Sequence, residues 1–225
     1  MQDFTTDTRP EVVESAIPAR FHTTTRVIAG ASATPAMAGE VVRKGLHLLI
    51  ALVPTFASLS VPLTLALLAA GTMFYALAEA SRRHGHPVIM VSRLTLIASR
   101  AVDRDRFVLG PVTLGLGAML ALLLYPEPAA SIGIYALAFG DGFASLVGRL
   151  VRSPRLPLTR GKSVTGSLAC FAAVFVSSTP LVRTPAQAAL VALAATILEA
   201  VPSGDFDNLL VPVGTGLVAA ALLGL

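Results

Sequence analysis

Seven apolar runs of helix length, separated by prolines and charges, occupy most of this chain: residues 45–59, 61–80, 107–125, 129–150, 163–182, 185–201 and 209–225. A helix that crosses a bilayer needs about 20 such residues and satisfies its own backbone hydrogen bonds. Most of the runs approach that length; the first does so only if residues 41–44 begin it. Only 13% of the chain is charged, 54% is hydrophobic, and the mean hydropathy is +0.75. A soluble domain carries about 25% charged residues, so this chain lacks the polar surface to cover itself in water. The expectation is an all-α, polytopic integral membrane helix bundle of about seven transmembrane helices. The Ser60-Val61-Pro62 break predicts a tight outer hairpin, and no internal repeat is evident.

Basic residues set the orientation. All of the 17 Lys and Arg residues except Arg183 fall in the amino-terminal segment, in 81–106 or in 149–162. These are alternate segments, and an excess of basic charge marks the cytoplasmic side. The reading is a multi-pass protein of the cell membrane, with its amino terminus cytoplasmic and its carboxyl terminus outside. Residues 1–40 read as a flexible polar tail without the basic-then-apolar pattern of a cleavable signal, and 41–225 as the transmembrane catalytic domain. Within it, residues 82–106 mix arginines with apolar residues at near-helical spacing, as in an amphipathic helix lying along the interface. The net charge of +4 therefore belongs to cytoplasmic loops, not to a nucleic-acid surface. The single Cys170 can form no internal disulfide and reads as a packing residue.

The polar residues that interrupt the apolar runs converge on that same cytoplasmic side. Arg43, Lys44 and His47 share one helical face at the mouth of the first helix. Glu79 ends the second helix, and Asp141 lies between two glycines in the inner half of the fourth. Lys162 and Ser163 open the fifth, Glu199 ends the sixth, and Asp205, Asp207 and Asn208 open the seventh. A carboxylate within a membrane segment is costly and marks a functional site. Carboxylates with an amide suit Mg²⁺, which takes one or two carboxylates plus substrate phosphates. Asp141 and Asp207 are the preferred ligands, with Glu199 and Asn208 in support. Arg160-Gly161-Lys162-Ser163 is not a P-loop, because Leu156 stands where that motif needs glycine and no strand precedes it. A glycine, a lysine and the free N–H groups of a helix start nevertheless suit a phosphate, and Thr165, Gly166 and Ser167 extend that small-residue face. His84 and His86 flank a glycine and give only a weak metal signal.

Four blocks carry a family resemblance. They are Arg43-Lys44-x-x-His47; Gly140-Asp141-Gly142-Phe143-Ala144-Ser145-x-x-Gly148-Arg149; Gly161-Lys162-Ser163-x-x-Gly166-Ser167; and Glu199-x-x-Pro202 with Asp207-Asn208-Leu209-x-x-Pro212. In this order they resemble the polyprenol, phytol and diacylglycerol kinases, membrane enzymes that include dolichol kinase, from residue 41 onward. The resemblance implies that a membrane lipid alcohol takes the γ-phosphate of CTP. It implies catalytic roles for Asp141, Lys162 and His47, with Mg²⁺ on Asp141, Asp207 and Glu199. It implies nucleotide contacts from Arg43, Lys44, Gly142, Ser145, Arg149, Gly161, Ser163, Gly166, Ser167 and Asn208. A carboxylate or His47 accepts the hydroxyl proton, and the residues do not choose between them. One departure is Thr165, where the family often has an acidic residue. The alternatives are a CTP-dependent phosphatidate cytidylyltransferase, whose carboxyl-terminal acidic signature is not visible, and an ion-coupled membrane transporter. A transporter should place polar residues toward both faces, whereas these gather on one.

Overall fold

The helix that organises the bundle runs over Ala129–Leu150, with Pro126 and Pro128 before it, Arg149 in its last turn and Arg152 after it. In the computed structural model 67% of its most apolar stretch is buried, against 11% for the helix Val61–Arg83. Residues 35–98, 106–157, 159 and 161–225 are described here, with side chains from residue 39; the predicted tail up to residue 34, residues 99–105 of the predicted interfacial segment, Leu158 and Arg160 lie outside them. The described residues are all-helical and contain no strand. In chain order the helices are α1 (Pro35–Leu49), α2 (Val53–Leu59), α3 (Val61–Arg83), α4 (Ile89–Ala98) and α5 (Gly110–Leu124). There follow α6 (Ala129–Tyr135), a π-helical turn (Ala136–Asp141), α7 (Gly142–Leu150), α8 (Val164–Ser178), α9 (Pro185–Ala200) and α10 (Asp207–Leu223).

Five of these stretches are long and apolar enough to cross a membrane: Gly39–Leu59, Val61–Arg83, Ala129–Leu150, Val164–Leu181 and Gly204–Leu223. The predicted runs 107–125 and 185–201 form the shorter apolar helices α5 and α9. Prolines and caps set several boundaries. Ser60 is extended and its Oγ accepts from the Leu63 N–H, so the Ser60-Val61-Pro62 break starts α3 as the sequence suggests. Thr184 and Gln187 cap each other reciprocally at the start of α9. Helix α1 starts at Pro35, inside the segment read as tail.

Small residues hold the bundle together. Ala129, Ala136, Ala144, Ala192, Ala195 and Ala219 are buried in one cluster with Ile132, Val174, Val191 and Val211. Backbones approach closely where glycine stands: a Cβ on Gly133 would strike the Pro212 carbonyl, and one on Gly117 the Asn208 carbonyl. Without a hydrophobic force between helices in lipid, such close approach is how they gain packing energy. Large apolar residues instead face outward, among them Leu67, Phe74, Leu77, Val176, Leu190, Ile197 and Leu217.

Candidate active site

A cavity of about 700 Å³ lies where α5, α8 and α10 begin and where α7 and α9 end. Arg43, Lys44 and His47 of α1 close one side and α4 another. Every residue to which the resemblance gives a catalytic, nucleotide or metal role lines it except Gly142. Gly142 is a correction: it packs toward Leu48 of α1, because the side of the helix it occupies faces α1 rather than the cavity.

Three ion-paired clusters stitch this end of the bundle. The first joins Lys44 of α1 to Asp141, both almost fully buried. His47 lies one turn beyond Lys44, with Nδ1 3.1 Å from the same Asp141 oxygen. Asp141 closes the π-helical turn Ala136–Asp141; such turns re-aim the side chains that follow and recur at functional sites. Gly140, just before it, lets the turn sit against Val174 and Cys170 of α8.

The second cluster joins Lys162, just before α8, to Glu199 in the last turn of α9. Burial alone would lower the Lys162 ammonium, but the carboxylates around it, Glu199 first and Asp141 and Asp207 behind it, together hold the group above its ordinary value. The segment that presents Lys162 is a small hairpin in which Arg155 pairs with Ser163 and the Leu156 N–H donates to the Lys162 carbonyl at 2.9 Å. Gly161 turns the chain there with φ of 91°, a conformation that favours glycine.

The third cluster centres on Glu40, which sequence reasoning missed. Arg43 Nη2 donates to both of its oxygens, at 2.7 and 2.6 Å, and Arg149 Nη2 of α7 lies 3.0 Å from Oε2. Its signal was the Glu40-x-x-Arg43 spacing, which puts both on one helical face, but the residue fell in the predicted tail.

Several candidate residues have structural work as well. Ser163 Oγ accepts from the Gly166 N–H at 3.1 Å and so caps α8. Gly148 and Gly166 let α7 and α8 touch. Asn208 Nδ2 donates to the Gly110 carbonyl and to Thr113 Oγ1, fastening α10 to α5. Thr165 bonds to Ser153 and does not line the cavity.

Besides His47 Nδ1, which approaches Asp141 at 3.1 Å without a hydrogen bond, three buried side-chain atoms of cavity-lining residues lack a hydrogen-bond partner among the described residues: Arg43 Nε, Ser167 Oγ and Glu199 Oε2. Unpaired buried groups are rare enough to need a cause, and a bound ligand supplies one. Among the described residues no three His, Cys, Asp or Glu side chains stand close enough to hold a metal ion alone. The free Glu199 oxygen and Asp207, which has no ion-pair partner among those residues, fit a cation such as Mg²⁺ that completes its shell with phosphate.

The other half of the cavity is apolar. Val91, Leu94, Thr95 and Ala98 present one face of α4 to it, at spacings of three and four. Tyr75, Val108, Pro111 and Leu114 also line it, and Tyr75 Oη donates to the Val108 carbonyl at 3.2 Å. Met90 and Ile97, on the flank of α4 beside that face, are exposed. One cavity thus joins a charged end to a greasy wall.

No protein-family model matches the chain, and no solved structure matches it. Curated relatives do. A probable phytol kinase, chloroplastic, of Triticum aestivum is 31% identical over 144 residues, covering 56% of this chain and 48% of that protein. Probable phytol kinase 2, chloroplastic, of Glycine max is 32% identical over 152 residues, covering 60% of this chain and 51% of that protein. Phytol kinase 1, chloroplastic, of Arabidopsis thaliana is 26% identical over 151 residues, covering 59% and 50%. The chain spans about half the length of the curated relatives it matches. The family resemblance carried by the four sequence blocks is thus matched by curated proteins named phytol kinase.

Proposed function

We propose that this protein is a membrane lipid-alcohol kinase that transfers the γ-phosphate of CTP to the hydroxyl of phytol, a polyprenol or diacylglycerol. The observation that carries the reading is the two-part cavity, in which Lys44, Lys162, Arg43 and Arg149 share one space with the apolar face of α4. The named relatives support the lipid-alcohol acceptor. CTP as the donor rests on the motif resemblance. Charge asymmetry along the chain supports a cytoplasmic cavity mouth in the cell membrane, an inside amino terminus, an outside carboxyl terminus and a count of seven crossings that includes the short α5 and α9.

In this reading the lipid hydroxyl oxygen bonds to the γ-phosphorus as the bond to the β-phosphate oxygen breaks, giving a lipid phosphate and CDP. Phosphoryl transfer asks the protein chiefly for alignment and charge neutralisation. Lys162 and Lys44 supply cations already held in place by Glu199 and Asp141. Arg43 and Arg149 add planar donors suited to phosphate oxygens. Asp207 and the unpaired oxygen of Glu199 would hold Mg²⁺, whose contribution is to neutralise phosphate charge, while Asp141, the third ligand expected from the sequence, is engaged by Lys44 and His47. A carboxylate or His47 takes the hydroxyl proton. Helix α4, with an apolar face on the cavity, guides the chain from the bilayer toward the hydroxyl's reacting position.

The test uses purified protein in bilayers, a panel of phytol, polyprenol and diacylglycerol, and either CTP or ATP labelled at the γ position. Label in the lipid supports the kinase and names its alcohol and donor. Release of pyrophosphate instead assigns a cytidylyltransferase, and neither product overturns the reading.

A further inference from the structure

We propose that Glu40 is a positioning residue that sets the phosphate clamp of this cavity, holding Arg43 and Arg149 at a fixed separation across α1 and α7. The proposal deepens the kinase reading and rests on it for the identity of the anion. Glu40 is 4% exposed, and its Oε2 is shared by guanidinium groups from two different helices. Two cations brought to one oxygen repel each other without the carboxylate between them. With it they keep one net positive charge and a fixed geometry. Both arginines line the cavity, and Arg43 Nε is buried without a partner among the described residues, so donor capacity remains for a ligand. Planar guanidinium donors in register are what tight phosphate recognition requires.

The backbone beside Glu40 is also fixed. A Cβ on Gly39 would come within 2.5 Å of the Ile97 carbonyl of α4, so α1 sits directly against the lipid-side wall at this point. Glu40 therefore belongs to a rigid junction of α1, α4 and α7, and its removal should misplace the arginines while leaving their charge. If attraction alone mattered, the loss of an acidic residue would tighten anion binding. If alignment matters, it weakens it.

The experiment compares wild type, Glu40→Gln, Glu40→Asp, Arg149→Gln and the Glu40→Gln/Arg149→Gln double variant, all as full chains in nanodiscs. It reads the CTP Kd by equilibrium dialysis, the KM for CTP and for phytol, and thermal stability. Glu40→Gln should raise CTP Kd and KM roughly tenfold with phytol KM within about twofold. Glu40→Asp should recover much of the loss, and the double variant should bind CTP no worse than Arg149→Gln alone. Unchanged or tighter CTP binding in Glu40→Gln overturns the proposal. So does an equal rise in both KM values, with lowered stability and no recovery in Glu40→Asp. A wild type that binds CTP but transfers no phosphate sinks the kinase reading and leaves the Kd comparison to decide Glu40. A wild type that binds no CTP overturns both.

Discussion

Lys44 and Asp141, 97 residues apart in sequence, meet as a buried ion pair that joins α1 to the π-helical turn of the central helix. Breaking such a pair leaves an uncompensated buried charge, at about 3–5 kcal/mol. Asp141→Asn should therefore lower thermal stability in detergent, read by loss of the monodisperse peak after heating. Lys44→Met combined with Asp141→Leu should regain most of that stability. If Asp141→Asn is as stable as wild type, the pair contributes nothing to the fold.

Lys162 gives a pH prediction with a defined sign. Its ammonium is held above its ordinary value because Glu199, Asp141 and Asp207 together outweigh the effect of burial. A basic group raised in this way contributes stability that is complete below its unfolded value and is lost only as pH climbs through the raised folded value. Lys162 should thus stay charged up to about pH 9, with no loss of stability traceable to its deprotonation. Over that range Lys162→Gln should raise the KM for CTP roughly tenfold at every pH. An effect of Lys162→Gln confined to the alkaline end would contradict this assignment.

Much of this arrangement could be read from the residues, and the parts that could not share a cause. The run 129–150 matches a full span because prolines and arginines punctuate both of its ends. Asp141 and Glu199 were legible because charge inside apolar runs is conspicuous, and Lys44 and Lys162 because each stands immediately before such a run. Their pairing was not, since no local pattern says which lysine meets which carboxylate. Glu40 escaped because a charged residue at the edge of a polar tail looks solvated. The π-helical turn left no mark in the hydrophobic pattern. Tyr75 and the α4 face became cavity walls only through tertiary packing, and Gly142 was turned away from the cavity by the same packing.

Helix α4 should control the lipid and not the nucleotide. Ala98 lines the cavity on the face shared with Val91 and Leu94. Ala98→Phe should raise the KM for phytol several-fold, and less for a shorter isoprenoid alcohol, while the KM for CTP stays within about twofold. Steady-state kinetics over both substrates checks this, and a change in CTP KM alone would contradict it.

The contact between α7 and α8 should be sensitive to a single methyl group. A Cβ on Gly166 would lie 2.8 Å from the Ala144 carbonyl and 3.4 Å from Gly148 Cα. Gly166→Ala should cost about 1–3 kcal/mol through overpacking and should lower transfer by shifting Lys162, two residues before the helix proper. Thermal stability and CTP KM measured together check it; full stability with unchanged kinetics would show that the helices separate freely.

In the kinase reading, the Lys44–Asp141 end of the cavity is where a phosphoryl group passes to a lipid alcohol. Single-turnover transfer from γ-labelled CTP to phytol, in wild type and Asp141→Asn matched for folded protein, tests it most directly. The account predicts label in phytyl phosphate with one CDP per transfer in wild type, and a loss of roughly a thousandfold or more in the variant. Label that stays on the nucleotide, or an Asp141→Asn variant that transfers at the wild-type rate, would contradict it.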